Sequence, residues 1–277
     1  MSQFQKNVEL VRSEVLAKDV IRLTFNAPEI ADAALPGQFV MVQIAPGQDP
    51  LLRRPFSIHQ VTEAGALQIL FRVVGRGTEL LAQVQEGTQL SLLGPLGRGF
   101  SLAAPAKACL VGGGMGIAPL LFLASRLSQQ VLDGPRPQVI LGARNRQELV
   151  PLIAAFENRG LKVLAATDDG SFGHHGLVTD VLQGLNLDSA FTVYSCGPRP
   201  MMAAINHLCQ QQKISCQVSV ETVMACGMGA CLGCAVALTA GGYAHVWSAG
   251  PGFEAGCLSR TWCINGFCGA SPSCPDR

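Results

Sequence analysis

Residues 108–130 read ACLVGGGMGIAPLLFLASRLSQQ. An apolar strand runs into Gly112, Gly113, Gly114 and Gly116, and an apolar helix follows. The turn is related to G-x-G-x-x-G, with the Ala118-Pro119 region where the last glycine would stand. Glycines at such a turn let the backbone approach a phosphate or a stacked ring, and a strand before with a helix after is the context that reading needs. A tight structural turn is the plain alternative. Downstream, the pattern repeats. PQVILGA, LKVLAATDDG and AFTVYSCGP are strands, and RQELVPLIAAFENRG, GLVTDVLQGL and RPMMAAINHLCQQQ are helices. Alternation of this kind predicts a doubly wound parallel sheet over residues 101–212.

Upstream, residues 1–100 read as β structure. VELVRSEVLA, VIRLTFNA, QFVMVQIA, PFSIHQV, ALQILFRVV and TQLSLLG are separated by Gly- and Pro-rich turns, which predicts a small antiparallel barrel or sandwich. One helix, GTELLAQVQ, interrupts them. Downstream, residues 213–277 form a third module. Ten of the eleven cysteines lie from Cys196 onward, so sulfur chemistry belongs mainly to the end of the chain.

The net charge of +1 gives no bias toward nucleic acid or a membrane surface. The N-terminus lacks the apolar core of a signal peptide, and no segment has roughly 18 unbroken apolar residues. These features lead to an expected cytoplasmic location, where thiols read as ligands or core residues rather than disulfides.

Several short motifs bear chemistry. In LLRRPFSIHQ, Arg54 is suited to a bidentate phosphate contact and Ser57 to a hydrogen bond with a ring nitrogen; a solvated edge is the alternative. In FRVVGRGTELL, Gly75, Gly77 and Thr78 precede a helix whose free N–H groups suit a pyrophosphate; an ordinary turn fits as well. Cys196, Gly197 and Pro198 end a strand of the parallel sheet, where ligands of such sheets bind, although a lone cysteine is more often a core residue. Asp168, Asp169 and Ser171 end a neighbouring strand, as ribose or phosphate contacts or simply as a turn. In ETVMACGMGACLGCAV, residues 221–236, Cys226, Cys231 and Cys234 stand as C-x4-C-x2-C. That is the plant-type [2Fe–2S] spacing, with zinc the second choice of metal.

In this order the motifs resemble the ferredoxin–NADP reductase superfamily. Within it, VSVETVMACGMGACLGCAV is similar to the electron-transfer subunits of the NAD-linked dihydroorotate dehydrogenase B. The resemblance implies an FAD-binding barrel, an NAD-binding α/β domain and a [2Fe–2S] module. It implies FAD contacts from Arg54, Pro55, Phe56 and Ser57, from Leu70, Phe71 and Arg72, and from Gly77 and Thr78. It assigns Gly112, Gly113, Gly114, Gly116, Cys196, Gly197 and Pro198 to the nicotinamide side, and Cys226, Cys231 and Cys234 to the cluster. It implies an FMN-containing catalytic partner that oxidises dihydroorotate, electrons crossing the cluster to FAD and then to NAD+, and a heterotetramer. No acid–base side chain is expected on this chain.

The family continues with Tyr-x-x-Val-Cys and then Gly-Pro-Val-Phe, where this chain has YAHVWSAGPGF. Trp247 stands at the expected fourth cysteine, and an indole N–H only donates. Cys257, Cys263, Cys268 and Cys274 remain as fourth donors, and the tail from about residue 247 is expected to be atypical. Two other functions stay open: a flavin subunit coupling NAD(P)H to ferredoxin or a hydrogenase, and a cluster-less, non-enzymatic copy. Arg144 and Arg146 keep NADP open beside NAD.

Overall fold

The computed structural model describes residues 3–44, 49–102, 107–130 and 135–259. Six strands close into an antiparallel barrel: β1 (Phe4–Ala17), β2 (Val20–Asn26), β3 (Phe39–Val42), β4 (Arg54–Val61), β5 (Leu67–Arg72) and β6 (Gln89–Leu96), in spatial order β1-β2-β5-β4-β3-β6. These are the six short apolar segments that the sequence sets off by turn residues. Their inward residues, including Leu10, Leu23, Phe25, Ile58 and Ile69, are fully buried. Closure leaves the barrel no free strand edge. A short helix, α1 (Pro28–Ala33), was not legible in the sequence; α2 (Arg76–Ala82) is the helix expected between β5 and β6.

The second unit is wound around a parallel sheet. After β7 (Lys107–Gly113) come a 3-10 turn at Gly114–Ile117 and α3 (Leu120–Gln130). Then follow β8 (Gln138–Ala143), α4 (Arg146–Glu157), β9 (Val163–Thr167), the two-residue β10 (His174–His175), α5 (Val178–Gln183), β11 (Phe191–Cys196) and α6 (Arg199–Gln211). The sheet does not stop at residue 212, where the sequence reading ends this domain. β12 (Ser215–Ser219) pairs in parallel with β11, because Cys216 and Val218 find their burial there. The last module, which begins with β13 (Ala235–Ala237), β14 (Tyr243–His245) and the single turn α7 (Val246–Ala249), returns as β15 (Gly252–Glu254) to pair antiparallel with β12. The sheet order is thus β10-β9-β8-β7-β11-β12-β15.

The linker from barrel to sheet ties all three parts together. Gln38 donates to the carbonyl of Gly97 at 2.7 Å, and Phe100 N–H to that of Pro36 at 2.9 Å. Arg98 forms a parallel bridge with Pro251. Ser101 N–H reaches the side chain of Gln217 at 2.9 Å, and Tyr194 donates to the Ser101 carbonyl at 3.1 Å. A Cβ built on Gly99 would sit 2.0 Å from the Pro36 carbonyl oxygen. Overpacking against backbone has no flexible side chain to yield, so Gly99→Ala is expected to cost about 1–3 kcal/mol. Gly184→Ala, where the new methyl has ordinary room, should change the denaturation midpoint little. Equal midpoints for the two variants would contradict this account.

His59 is a second tie. It lies in β4, is fully buried, and its Nδ1 approaches the Ala118 carbonyl at 2.7 Å, so the neutral ring keeps its proton on Nδ1. Burial lowers its pKa to about 4, against a backbone hydrogen bond that acts the other way. The free imidazole titrates near 6.5, so the unfolded chain takes up this proton first. The stability it contributes is complete above about pH 6.5 and is lost as pH falls toward 4. Between pH 6.5 and 5 the loss is expected to be about 2 kcal/mol. His59→Gln should flatten that part of a urea-denaturation pH profile; parallel profiles would refute the assignment.

Candidate functional site

The alternation along β4 and β5 sorts the expected flavin contacts. Phe56 and Phe71 point into the barrel core and pack on each other with ring centroids 5.2 Å apart. Their side chains hold the wall, and only their main chain remains for a ligand. Pro55 and Ser57 lie on the opposite face. Leu70 is buried among residues of the α/β unit, at the junction of the two domains. Arg54 lies against Gly77: a Cβ there would come within 3.1 Å of its Nε. Arg54 also donates to the Leu52 carbonyl at 2.7 Å. Thr78 Oγ1 accepts from the N–H groups of Val74 and Gly75 at 2.9 and 3.1 Å and donates to the Gly75 carbonyl at 2.8 Å. Arg54, Gly77 and Thr78, apart in sequence, are thus one locus. A cation beside a glycine turn with open space over Gly75 fits a diphosphate.

The nucleotide crevice lies where the sheet order reverses. β7 neighbours β8 on one side and β11 on the other, with Gly112 in register with Cys196. Around this point is a cavity of about 640 Å³, lined by Gly113, Gly114, Gly142, Asp168, Thr179 and Pro198 among others. Its position beyond the carboxyl ends of the strands is where such sheets bind ligands. Each glycine has its own reason. A Cβ on Gly112 would strike Leu120, and one on Gly113 would strike Met201. One on Gly116 would lie 2.3 Å from the Cys196 carbonyl oxygen. Gly114 has φ +54° and open space above it, so a ligand's backbone approach is free there. Gly197, at φ +152°, packs on Gly113 main chain. Cys196 itself is buried, and desolvation, with the Glu221 charge, raises its pKa to about 12. It is a neutral thiol, not a nucleophile.

Glu148 and Arg72 stand at the rim of this crevice. Arg72, expected on the flavin side, forks onto Glu148 at 3.4 and 3.3 Å, and Arg144 pairs with the same carboxylate. Those hydrogen bonds, Arg144's first, hold the Glu148 carboxyl below its ordinary range. The sequence signals Glu148 only as the third helical residue after the Asn145 cap, whose Oδ1 accepts the Glu148 N–H at 3.0 Å.

The thiol loop packs on the barrel. Gly227 and Gly229 have positive φ; Cβ atoms there would meet Met41 and Trp247. Met41 is opposite Pro55 in the β3–β4 ladder, and Phe39 is opposite Ser57. Phe39 and Met41 form a small core with Leu93 and Leu96, against which Met224 and Trp247 pack. The loop therefore sits beside the expected flavin strand. Cys226 Sγ accepts from the N–H groups of Met228 and Cys231 at 3.5 and 3.4 Å, and Cys231 Sγ from Gly233 at 3.4 Å. Those N–H groups, that of Met228 foremost, lower the Cys226 pKa to about 6. Thiolate-stabilising amides of this kind fit a cluster whose sulfurs are hydrogen-bonded.

Three thiols are present for a [2Fe–2S] group, with Cys234 buried and Cys231 exposed. No fourth thiol stands at residue 247, where the Trp247 indole covers Gly229. Among the described residues no three His, Cys, Asp or Glu side chains converge as a ready-made metal site. Cys257 is buried in the 3-10 turn Ala255–Cys257. Cys263, Cys268 and Cys274 lie outside the described residues.

An antiparallel barrel against a doubly wound sheet defines the ferredoxin–NADP reductase-like class. Residues 7–100 match the family described as oxidoreductase FAD-binding domain, and residues 110–207 the oxidoreductase NAD-binding domain. Residues 221–259 match the iron–sulfur cluster binding domain of dihydroorotate dehydrogenase B. That match runs through Trp247 to Ser259, so the family-like part extends beyond the point where the sequence reading ends it. The chain is 41% identical to the dihydroorotate dehydrogenase B (NAD(+)) electron transfer subunit of Desulforamulus reducens, over 81% of this chain and 86% of that protein. It is 39% identical to the same subunit of Geobacillus thermodenitrificans, over 91% and 97%. A solved NADH-dependent reduced ferredoxin-NADP oxidoreductase superposes with a TM-score of 0.81 at 27% identity, covering 92% of this chain and 90% of that one. The chain belongs to the family of dihydroorotate dehydrogenase B electron transfer subunits, and it carries FAD-binding, NAD-binding and iron–sulfur domains. No helix among the described residues is long and apolar enough to cross a membrane.

Gly116→Ala should push the β7 turn off the Cys196 carbonyl. NADH affinity of the flavin-loaded chain is expected to fall by about tenfold or more, with FAD content retained. Unchanged NADH affinity would contradict the close approach as the reason for this glycine.

Proposed function

We propose that this chain is the NAD-linked electron-transfer half of a two-component dihydroorotate-oxidising enzyme, working with an FMN-containing catalytic chain in a heterotetramer. The observation that carries the reading is the contact of three loci at one end of the barrel. The thiol loop rests on Met41, Met41 lies opposite Pro55 of the flavin strand, and the crevice beyond β7 opens across the domain junction.

Each locus has its own task. Arg54, with Gly77 and Thr78, grips the FAD diphosphate, while Pro55 and Ser57 border the flavin ring. Gly113 and Gly114 let the nicotinamide nucleotide lie close to the sheet, and Gly197 and Pro198 shape the opposite wall. Cys196 supplies a buried, uncharged surface there. Cys226, Cys231 and Cys234 are the thiol donors of the iron–sulfur module. Flavin joins one-electron carriers to a two-electron nicotinamide, so the chain needs no acid–base residue for hydride transfer, and proton chemistry on dihydroorotate belongs to the partner.

The test is co-expression with an FMN-binding dihydroorotate dehydrogenase chain, followed by anaerobic purification. The complex is expected to reduce NAD+ with dihydroorotate, and to contain FAD and FMN in equal amounts with iron and labile sulfide. Cys231→Ser should abolish dihydroorotate-to-NAD+ turnover but leave NADH-driven reduction of the FAD. NADH oxidation without any coupling to dihydroorotate would favour the reading as a flavin subunit of another oxidoreductase.

A further inference from the structure

The rim of the nucleotide crevice carries charges that the hydride chemistry does not use. At the ends of β8 and β9 stand Arg144, Arg146, Glu148, Asp168 and Asp169, with Arg72 reaching across from the barrel. Strand β8 is second in the winding order, next to β7, and the end of the second strand is where such sheets meet the adenosine ribose. Two arginines there would ordinarily suit a 2′-phosphate.

Arg144 is already paired, and Arg146 is held by its face against a ring. Arg144 is paired with Glu148, and Asp168 adds to the field that holds its proton. Arg146 lies over the Phe172 ring at 5.3 Å, with its main-chain N–H bonded to Ser171 Oγ at 2.8 Å. Ser171 in turn donates to Asp169 at 2.6 Å. The Glu148 side chain is largely shielded, at 15% exposure, and Arg72 shares it. Its position is therefore fixed from two directions, whereas the Arg144 side chain is mostly exposed, at 70%.

We propose that Glu148 is the residue that sets the choice of NAD(H) over NADP(H), by occupying the Arg144 guanidinium and presenting a carboxylate where a 2′-phosphate would have to sit. A ribose 2′-hydroxyl can donate to a carboxylate at this rim; a phosphate dianion meets a fixed like charge and an arginine already paired to that carboxylate through one nitrogen. Arg72 is a positioning residue, holding Glu148 from the barrel side. The inference rests on the crevice being the nicotinamide site, as in the proposed function.

The experiment is calorimetric titration of the FAD-loaded chain with ADP-ribose and with 2′-phospho-ADP-ribose, which reads binding without turnover. The wild-type chain is expected to bind ADP-ribose at least about tenfold more tightly. Glu148→Gln should narrow that ratio by about tenfold, with most of the gain in the phosphorylated ligand. In Glu148→Gln combined with Arg144→Ala the gain should vanish, as expected when one residue acts through the other. FAD content and far-UV dichroism identify any variant that fails to fold. For such a variant Arg144→Ala alone is the second measurement, and it should leave the wild-type preference in place. A ratio unaltered by Glu148→Gln, or a gain that survives loss of Arg144, overturns the inference. If ADP-ribose does not bind the wild-type chain, the crevice assignment falls and this inference with it.

Discussion

Everything else in the molecule depends on how the chain crosses from barrel to sheet. Residues 97–101 offer two small glycines and a row of main-chain groups, and each group finds a partner in a different part. Gln38 and the Pro36 carbonyl belong to the barrel, Gln217 and Tyr194 to the sheet, and the main chain around Pro251 to the last module. Buried main-chain groups must be paired, so this crossing has few alternative geometries. The same segment also holds the main chain of Gly250–Gly252 in the last module.

That fixed crossing brings three ligand loci together without any of them being large. Strand β4, the expected flavin strand, lies between the Met41 ledge and the domain junction. The β7 turn meets the β11 turn backbone to backbone, through Gly116 and Cys196. Phe122 of α3 enters the barrel core and Leu70 of β5 enters the sheet-side core, so the two domains exchange side chains across their seam. Polar contacts cross the same seam: His59 to the Ala118 carbonyl, Gln60 to Ser125, and Arg72 to Glu148 at the crevice rim.

Most of the fold was legible from the sequence. Short segments rich in Val, Ile, Leu and Phe between turn residues, several of them alternating, gave the six barrel strands, and strand–helix alternation gave the sheet. The helix at Pro28–Ala33 escaped because its buried residues, Ile30 and Ala31, are adjacent and mark no helical face, whereas the equally short α5 shows Val178 and Leu182 four apart. The strands β12 and β15 escaped a sheet assignment because pairing partners distant in sequence leave no local mark. Among site residues, the glycines and cysteines announced themselves, since their chemistry or conformational freedom is rare. Glu148 did not: as an acidic residue in a first helical turn it looks like helix capping, and only the fold brings Arg72 to it. The ledge formed by Phe39 and Met41 was likewise hidden, since apolar residues on a strand read simply as core.

The antiparallel strand at Gly252–Glu254 makes the protein indivisible in a practical sense. Three matched families along the chain suggest three exchangeable cassettes. Yet the iron–sulfur segment supplies the outermost strand of the nucleotide-binding sheet, and a fragment ending near residue 212 would lose β12 and β15 together and leave β11 as a raw hydrophobic edge. Such edges pair with whatever strand is nearby. A cut at the seam between families would therefore expose that edge, so neither the iron–sulfur module nor the flavin and nucleotide units can be taken alone without re-covering β11.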